Sequence, residues 1–155
     1  MNKIAIFGAG GFGREVHMLI EQINQKNPVW EFIGYFDDGV AKGTKVNGFP
    51  LLGGIQEVNG LEDEVAMVFA VGNPSVKQKI ISKVANNRIS FPTLIHPDVL
   101  IGNGKFNTIG EGSIITAGCI LTVNIEIGRH VILNLSCTVG HDSVIGEFCS
   151  FMPAV

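Results

Sequence analysis

Four short stretches carry side chains or backbone suited to chemistry. The first is His141 followed at once by Asp142. A neutral imidazole takes a proton from an amine or hydroxyl as that group attacks, and a neighbouring carboxylate orients the ring and raises its basicity. The second is Gly8-Ala9-Gly10-Gly11-Phe12-Gly13. Glycine-rich backbone between a strand and a helix lets a phosphate or sugar approach the helix N-terminus. The third is the pair Asp37-Asp38, and the fourth is Gly72-Asn73-Pro74. The other histidines have weaker claims. His17 and His130 are expected to be solvated, and His96 to pack at a junction between two parts of the chain.

These stretches need elements to hold them. Lys3 to Phe7 reads as a short apolar strand, and a helix is expected from about Arg14 to Asn24 with Val16, Leu19, Ile20 and Ile23 facing inward. A second strand, about Glu31 to Phe36, ends at Asp37-Asp38, where a dinucleotide-binding fold carries its ribose-binding carboxylate. Asn47-Gly48 marks a turn, and Leu51 to Gly54 opens a short helical segment. Val65 to Val71 is apolar throughout, as a buried parallel strand should be. Asn73 then caps a helix that Pro74 starts and that runs to about Asn86, with Val76, Ile80, Ile81 and Val84 inward. Strands alternating with helices imply a small Rossmann-like parallel sheet over residues 1–90. Its ligand would lie at the carboxyl ends of the strands, where the Gly loop, the Asp pair and Gly72-Asn73 all fall.

The remaining residues, 91–155, follow another rule. From Ile109, every sixth residue is apolar: Ile109, Ile115, Leu121, Ile127, Leu133, Val139, Ile145 and Phe151. Four residues past each lies a small or β-branched residue: Ser113, Cys119, Ile125, Val131, Cys137, Ser143, Cys149 and Val155. A period of six fits a parallel β-helix, three hexads to a triangular coil. Residues two apart on a strand face the same way, so both series point inward. Gly or Asn, frequent just after the apolar position, is expected to supply the corner backbone. Ile95 and Ile101 keep the six-residue step, but the phase resumes only at Ile109. Two extra residues therefore lie within Gly102 to Thr108, and a bulged corner is expected there. His141 falls at a corner, outside the core register.

Composition narrows the class. The chain has 155 residues and a formal net charge of −3, which argues against a nucleic-acid or anionic-membrane partner. No apolar run is long enough to span a membrane, and no signal peptide precedes the first strand. The three cysteines all occupy inward hexad positions and lack the spacing of a disulfide framework or a zinc site. A cytoplasmic protein without a bound metal is expected.

The whole chain resembles the hexapeptide-repeat sugar O- and N-acyltransferases of the sialic-acid O-acetyltransferase type, which include acetyltransferases of UDP-4-amino sugars. The matching stretches, in order, are GAGGFGREV from Gly8, FDD at Phe36 to Asp38, AVGNP at Ala70 to Pro74, IHP at Ile95 to Pro97, and TVGHDSVIGEF at Thr138 to Phe148. The resemblance implies that the β-helix is left-handed and that the αβ domain holds a nucleotide-sugar acceptor rather than NAD. Gly10, Gly11 and Phe12 would line the acceptor, although many members have His where this chain has Phe12. Asp37 and Asp38 would bind the nucleoside end, with Gly72 against it. His141 would be the general base and Asp142 its helper, a place commonly held by Glu. Ser150 falls where some relatives have a His that contacts acetyl-CoA, the acyl donor. Family members are trimers with the donor groove between β-helices, so a homotrimer is expected.

From Ile109 the repeat has fewer than three full coils and stops inside a hexad at Val155, so the β-helix reads as truncated. Two other readings stay open on the residues. One is an NAD-dependent oxidoreductase using Gly8 to Gly13, which leaves the hexads unexplained. The other is a non-catalytic sugar-nucleotide-binding or assembly module that lacks the donor site.

Overall fold

The computed structural model describes residues 1–155. The chain divides into two compact units, Met1–Phe91 and Pro92–Val155. In the first, β1 (Asn2–Phe7), β2 (Trp30–Phe36), β5 (Val65–Phe69) and β6 (Ile89–Ser90) form one sheet in the order β2-β1-β5-β6. All its pairs are parallel. Helices α1 (Gly11–Lys26), α2 (Ile55–Asn59) and α3 (Pro74–Ser82) follow β1, β4 and β5, and a two-residue hairpin pairs β3 (Lys45–Val46) with β4 (Phe49–Pro50). The core includes Ala5, Phe7, Phe36, Met67 and Phe69, all nearly inaccessible. Burying such side chains supplies about 1.5–3 kcal/mol each against the entropy of ordering the chain.

Four local expectations are corrected here. Helix α1 starts at Gly11, because glycines in the first turn still take helical dihedrals. Strand β5 stops at Phe69 and α3 at Ser82, short of Val71 and Asn86. On α3, Val76 is 45% exposed and Lys77 is buried. Lys77, Ile80, Ile81 and Val84 follow the i, i+3, i+4, i+7 spacing of one helix face, and Val76 lies about 100° off it. The aliphatic stem of a lysine can occupy such a place.

His17 is a further correction. It is buried under α1, stacked on Phe32 at 4.1 Å between ring centroids and edge-on to Phe49 at 4.6 Å. Three aromatic rings outcompete solvent for a neutral imidazole, and burial lowers its pKa. Tyr35 joins the cluster from β2, and its buried hydroxyl has no hydrogen-bond partner.

The second unit is built from ten two-residue strands, β7 to β16 in chain order from Leu94–Ile95 to Ser150–Phe151. They stack into three parallel sheets, ordered β16-β13-β10-β7, β14-β11-β8 and β15-β12-β9. Ile114 pairs with Ile132, Ile120 with Thr138 and Glu126 with Val144, each eighteen residues on. This is a parallel β-helix with three hexads per coil. Ile115, Cys119, Leu121, Ile125, Ile127, Val131, Leu133 and Cys137 fill the prism, and Cys149 is half-buried. In the first coil Leu94 and Leu100 pair twenty residues on, with Ile114 and Ile120, whereas Thr108 pairs eighteen on, with Glu126. The two extra residues lie in the corner between Ile101 and Thr108.

The corners work differently from the expectation. Left-handed backbone recurs every six residues at Gly112, Gly118, Asn124, His130, Ser136, Asp142, Phe148 and Ala154, with φ between 55° and 80°. That is the third residue past each inward apolar one. Glycines directly after the apolar position, such as Gly110 and Gly128, are needed for space instead. A Cβ on Gly110 would stand 2.5 Å from the Arg129 nitrogen, and one on Gly128 2.7 Å from the Glu147 nitrogen. His130 is also corrected, because it is buried and stacks on Phe148 at 5.5 Å. Both occupy the same corner position one coil apart, and Gly112 below leaves room for the imidazole.

Candidate active site

Site residues fall in both units. At the corner after Val139, the backbone N–H of Asp142 donates to the Val123 carbonyl of the coil below at 3.1 Å. Asp142 takes the left-handed conformation there, φ 62°, which a short polar residue tolerates. Its Oδ2 lies 2.8 Å from Nδ1 of His141. A carboxylate accepts only, so Nδ1 carries the proton and Nε2 keeps its lone pair. The His141 side chain is 80% exposed, so Nε2 is open to an incoming group. Asp, although a methylene shorter than Glu, reaches the ring. The pair is held by a corner that the β-helix backbone fixes.

Ser150 opens the last strand, paired with Ile132. A cavity of about 290 Å³ next to the His141 corner is lined by residues that include Thr138, Gly140, Ser143 and Phe151. His96 is buried, and its Nδ1 accepts the Asp98 N–H at 3.0 Å.

In the αβ unit the glycines divide into two kinds. Gly8, with φ 113°, passes under Ala70, where a Cβ would come within 2.6 Å of the carbonyl oxygen. Gly13 lies against the Gly8 carbonyl with no room for a Cβ. These two pack the helix onto the sheet. Gly10 and Gly72 face open space, and a Cβ on Gly11 would meet only the end of Arg14 at 3.7 Å. Gly10 caps α1 without a side chain, and the first turn contains no acidic residue, so no side chain there competes with an anion for the first-turn N–H groups. Phe12 is half-buried in that turn.

Asp37 and Asp38 bind backbone before any ligand. Asp37 Oδ2 accepts the Ala9 N–H at 2.9 Å and Oδ1 the Gly39 N–H at 2.8 Å. Asp37 thereby ties the Gly loop to the end of β2. Asp38 Oδ1 accepts the Ile55 N–H at 2.9 Å, at the start of α2. Both acids line a cavity of about 260 Å³ with Lys42, Gly54, Gln56 and Glu57. The sequence pointed to the acids but not to Lys42, Gln56 or Glu57, because these follow turns whose folding back onto β2 has no signature. No group of three or more His, Cys, Asp or Glu side chains is placed to hold a metal ion. No helix is long and apolar enough to cross a membrane.

A parallel αβ unit followed by a hexapeptide-repeat β-helix with a corner His defines a class of acyltransferase. Residues 3–84 match the PglD N-terminal domain family, and the chain belongs to the PglD-type sugar N-acetyltransferases. It is 29% identical over 153 residues to the GDP-perosamine N-acetyltransferase of Escherichia coli O157:H7, covering 99% of this chain and 68% of that protein. Among solved structures it is similar to WeeI from Acinetobacter baumannii AYE, at 31% identity and a TM-score of 0.84, over 99% of this chain and 70% of that one. It is also similar to the acetyltransferase domain of PglB from Neisseria gonorrhoeae FA1090 in complex with acetyl coenzyme A. There the identity is 29% and the TM-score 0.81, over 99% of this chain and 72% of that one.

Proposed function

We propose that this chain transfers the acetyl group of acetyl-CoA to the amine of a nucleotide-activated amino sugar. The observation that carries the reading is the His141–Asp142 pair, with Nδ1 held by the carboxylate and Nε2 open. The relatives named above support the substrates: one is named for GDP-perosamine, and another was solved with acetyl coenzyme A. The acceptor's nucleotide lies along Gly10, Gly11, Phe12, Gly72 and the Asp37-Asp38 cavity. Nε2 of His141 removes a proton as the sugar amine attacks the thioester carbonyl. The tetrahedral intermediate collapses, the C–S bond breaks, and the CoA thiolate takes the proton back from the imidazolium. The products are the N-acetylated sugar nucleotide and CoA, with no covalent enzyme intermediate. Ser150 contacts the donor, the active assembly is a homotrimer, and the acyl donor places the reaction in the cytoplasm.

The test is release of CoA thiol from acetyl-CoA in the presence of GDP-perosamine or a UDP-4-amino sugar. Amine-dependent thiol release, lost in His141→Ala, supports the reading. Binding of those sugar nucleotides without any thiol release supports a binding module instead.

A further inference from the structure

The bulged corner of the first coil has no part in the reaction as derived so far. Its placement is fixed by the hydrogen bonds that stack one corner on the next. Gly102 N–H donates to Leu121 O at 3.0 Å, Thr122 N–H to Val139 O at 3.2 Å, and Asp142 N–H to Val123 O at 3.1 Å. The loop Gly102–Asn107, the corner Thr122–Ile125 and the corner bearing His141 therefore form one column along the prism. Neighbouring parallel strands are about 4.8 Å apart, so the loop rises from a point about 10 Å from the His141 corner.

The loop is built rather than loose. Asn107 is buried, and its amide spans the gap that the insertion opens. Nδ2 donates to Thr122 O and Oδ1 accepts the Ile125 N–H, each at 3.0 Å. Asn103 closes the tip, accepting the Lys105 N–H at its side chain and the Phe106 N–H at its carbonyl. The residue so presented is Phe106, 57% exposed, and Val123, 46% exposed, lies between it and His141 in the column. An apolar ridge with a general base at one end fits a sugar ring. A pyranose offers C–H faces that pack on an aromatic face, whose quadrupole is negative.

We propose that Phe106 determines acceptor specificity by packing on the C–H face of the sugar delivered to His141. The proposal rests on the acetyl-transfer reading above. The substrate for the test is whichever of GDP-perosamine or a UDP-4-amino sugar the unsubstituted chain acetylates. Phe106→Ala should raise KM for that sugar nucleotide roughly tenfold, with kcat and the KM for acetyl-CoA nearly unchanged. Phe106→Tyr should restore it, and affinity for the free nucleoside diphosphate should not move. If the KM for acetyl-CoA rises instead, the ridge faces the donor and the proposal is wrong. It is equally wrong if Phe106→Ala lowers Tm and all kinetic terms together, since the ring then only covers the end of the prism. Absence of acetyl transfer in the unsubstituted chain overturns the functional reading itself, and this inference with it.

Discussion

Asp142 holds Nδ1 of His141 from a left-handed corner residue, so the backbone that closes the coil also aims the carboxylate. Replacing His141 with Ala should lower turnover by roughly 100- to 10,000-fold, the usual worth of a positioned base. Binding of both substrates should change little, because the imidazole acts on a proton in transit. Asp142→Asn should cost less, since it removes the orienting charge and leaves the base. Steady-state kinetics of the three proteins at fixed pH checks the order.

Asp37 and Asp38 line the cavity proposed to take the nucleotide and also bind backbone, so their loss should have two readouts. Asp37→Ala and Asp38→Ala should each weaken sugar-nucleotide binding without changing acetyl-CoA binding. Asp37→Ala should in addition increase hydrogen exchange at Ala9, whose N–H it frees. Titration calorimetry and amide exchange distinguish the two effects.

Tyr35 is fully buried with its hydroxyl unpartnered. An unsatisfied buried hydroxyl costs about 1–3 kcal/mol, so Tyr35→Phe should leave stability unchanged or raise it by about 1 kcal/mol. A urea titration that shows a clear loss would mean the hydroxyl has a partner in solution.

His17 gives the chain a pH dependence. Burial lowers its folded pKa below the ordinary 6.5, and Glu21, 3.9 Å away, offsets this in part. The unfolded chain therefore takes up the proton first as the pH falls. The stability linked to His17 is complete above about pH 6.5 and declines below it, through the folded pKa. His17→Phe should flatten the fall in Tm between pH 7 and 5, provided the ring still packs on Phe32.

Ser113 bridges two coils inside the prism. Its hydroxyl donates to Gly128 O at 2.9 Å and accepts the Val131 N–H at 3.1 Å. Ser113→Ala strands that buried N–H and should cost about 1–3 kcal/mol. Ser143, at the equivalent inward position, is half-buried and donates only to the Gly140 carbonyl of its own corner, at 2.8 Å, so Ser143→Ala should cost less.

Much of this was legible because periodic burial writes itself into sequence. The six-residue step located the coils and the two-residue insertion, since any slip would expose the apolar series. The corner chemistry was not legible. Glycine marks both tight backbone and close approach, and only the coil stacked above Gly110 and Gly128 shows which applies. The histidines divided the same way. His141 stood out by its neighbour Asp142, whereas His17 and His130 are buried by rings distant in sequence: Phe32 and Phe49 for one, Phe148 for the other. Lys42, Gln56 and Glu57 join Asp37 and Asp38 around their cavity through chain folding that leaves no repeat to read.

The left-handed positions, one every six residues, make the second unit a coordinate system. Six residues of sequence turn a side chain by a third of a revolution, and eighteen lift it by one coil, about 4.8 Å. The first coil shows that a corner can lengthen without disturbing the count, because the two extra residues are absorbed before Thr108. A duplication of eighteen residues upstream of Thr138 would therefore raise His141 by one coil and keep its bearing. A duplication of six would move it to another edge. Where a side chain stands in this unit is set by counting, and a corner can grow without changing the count.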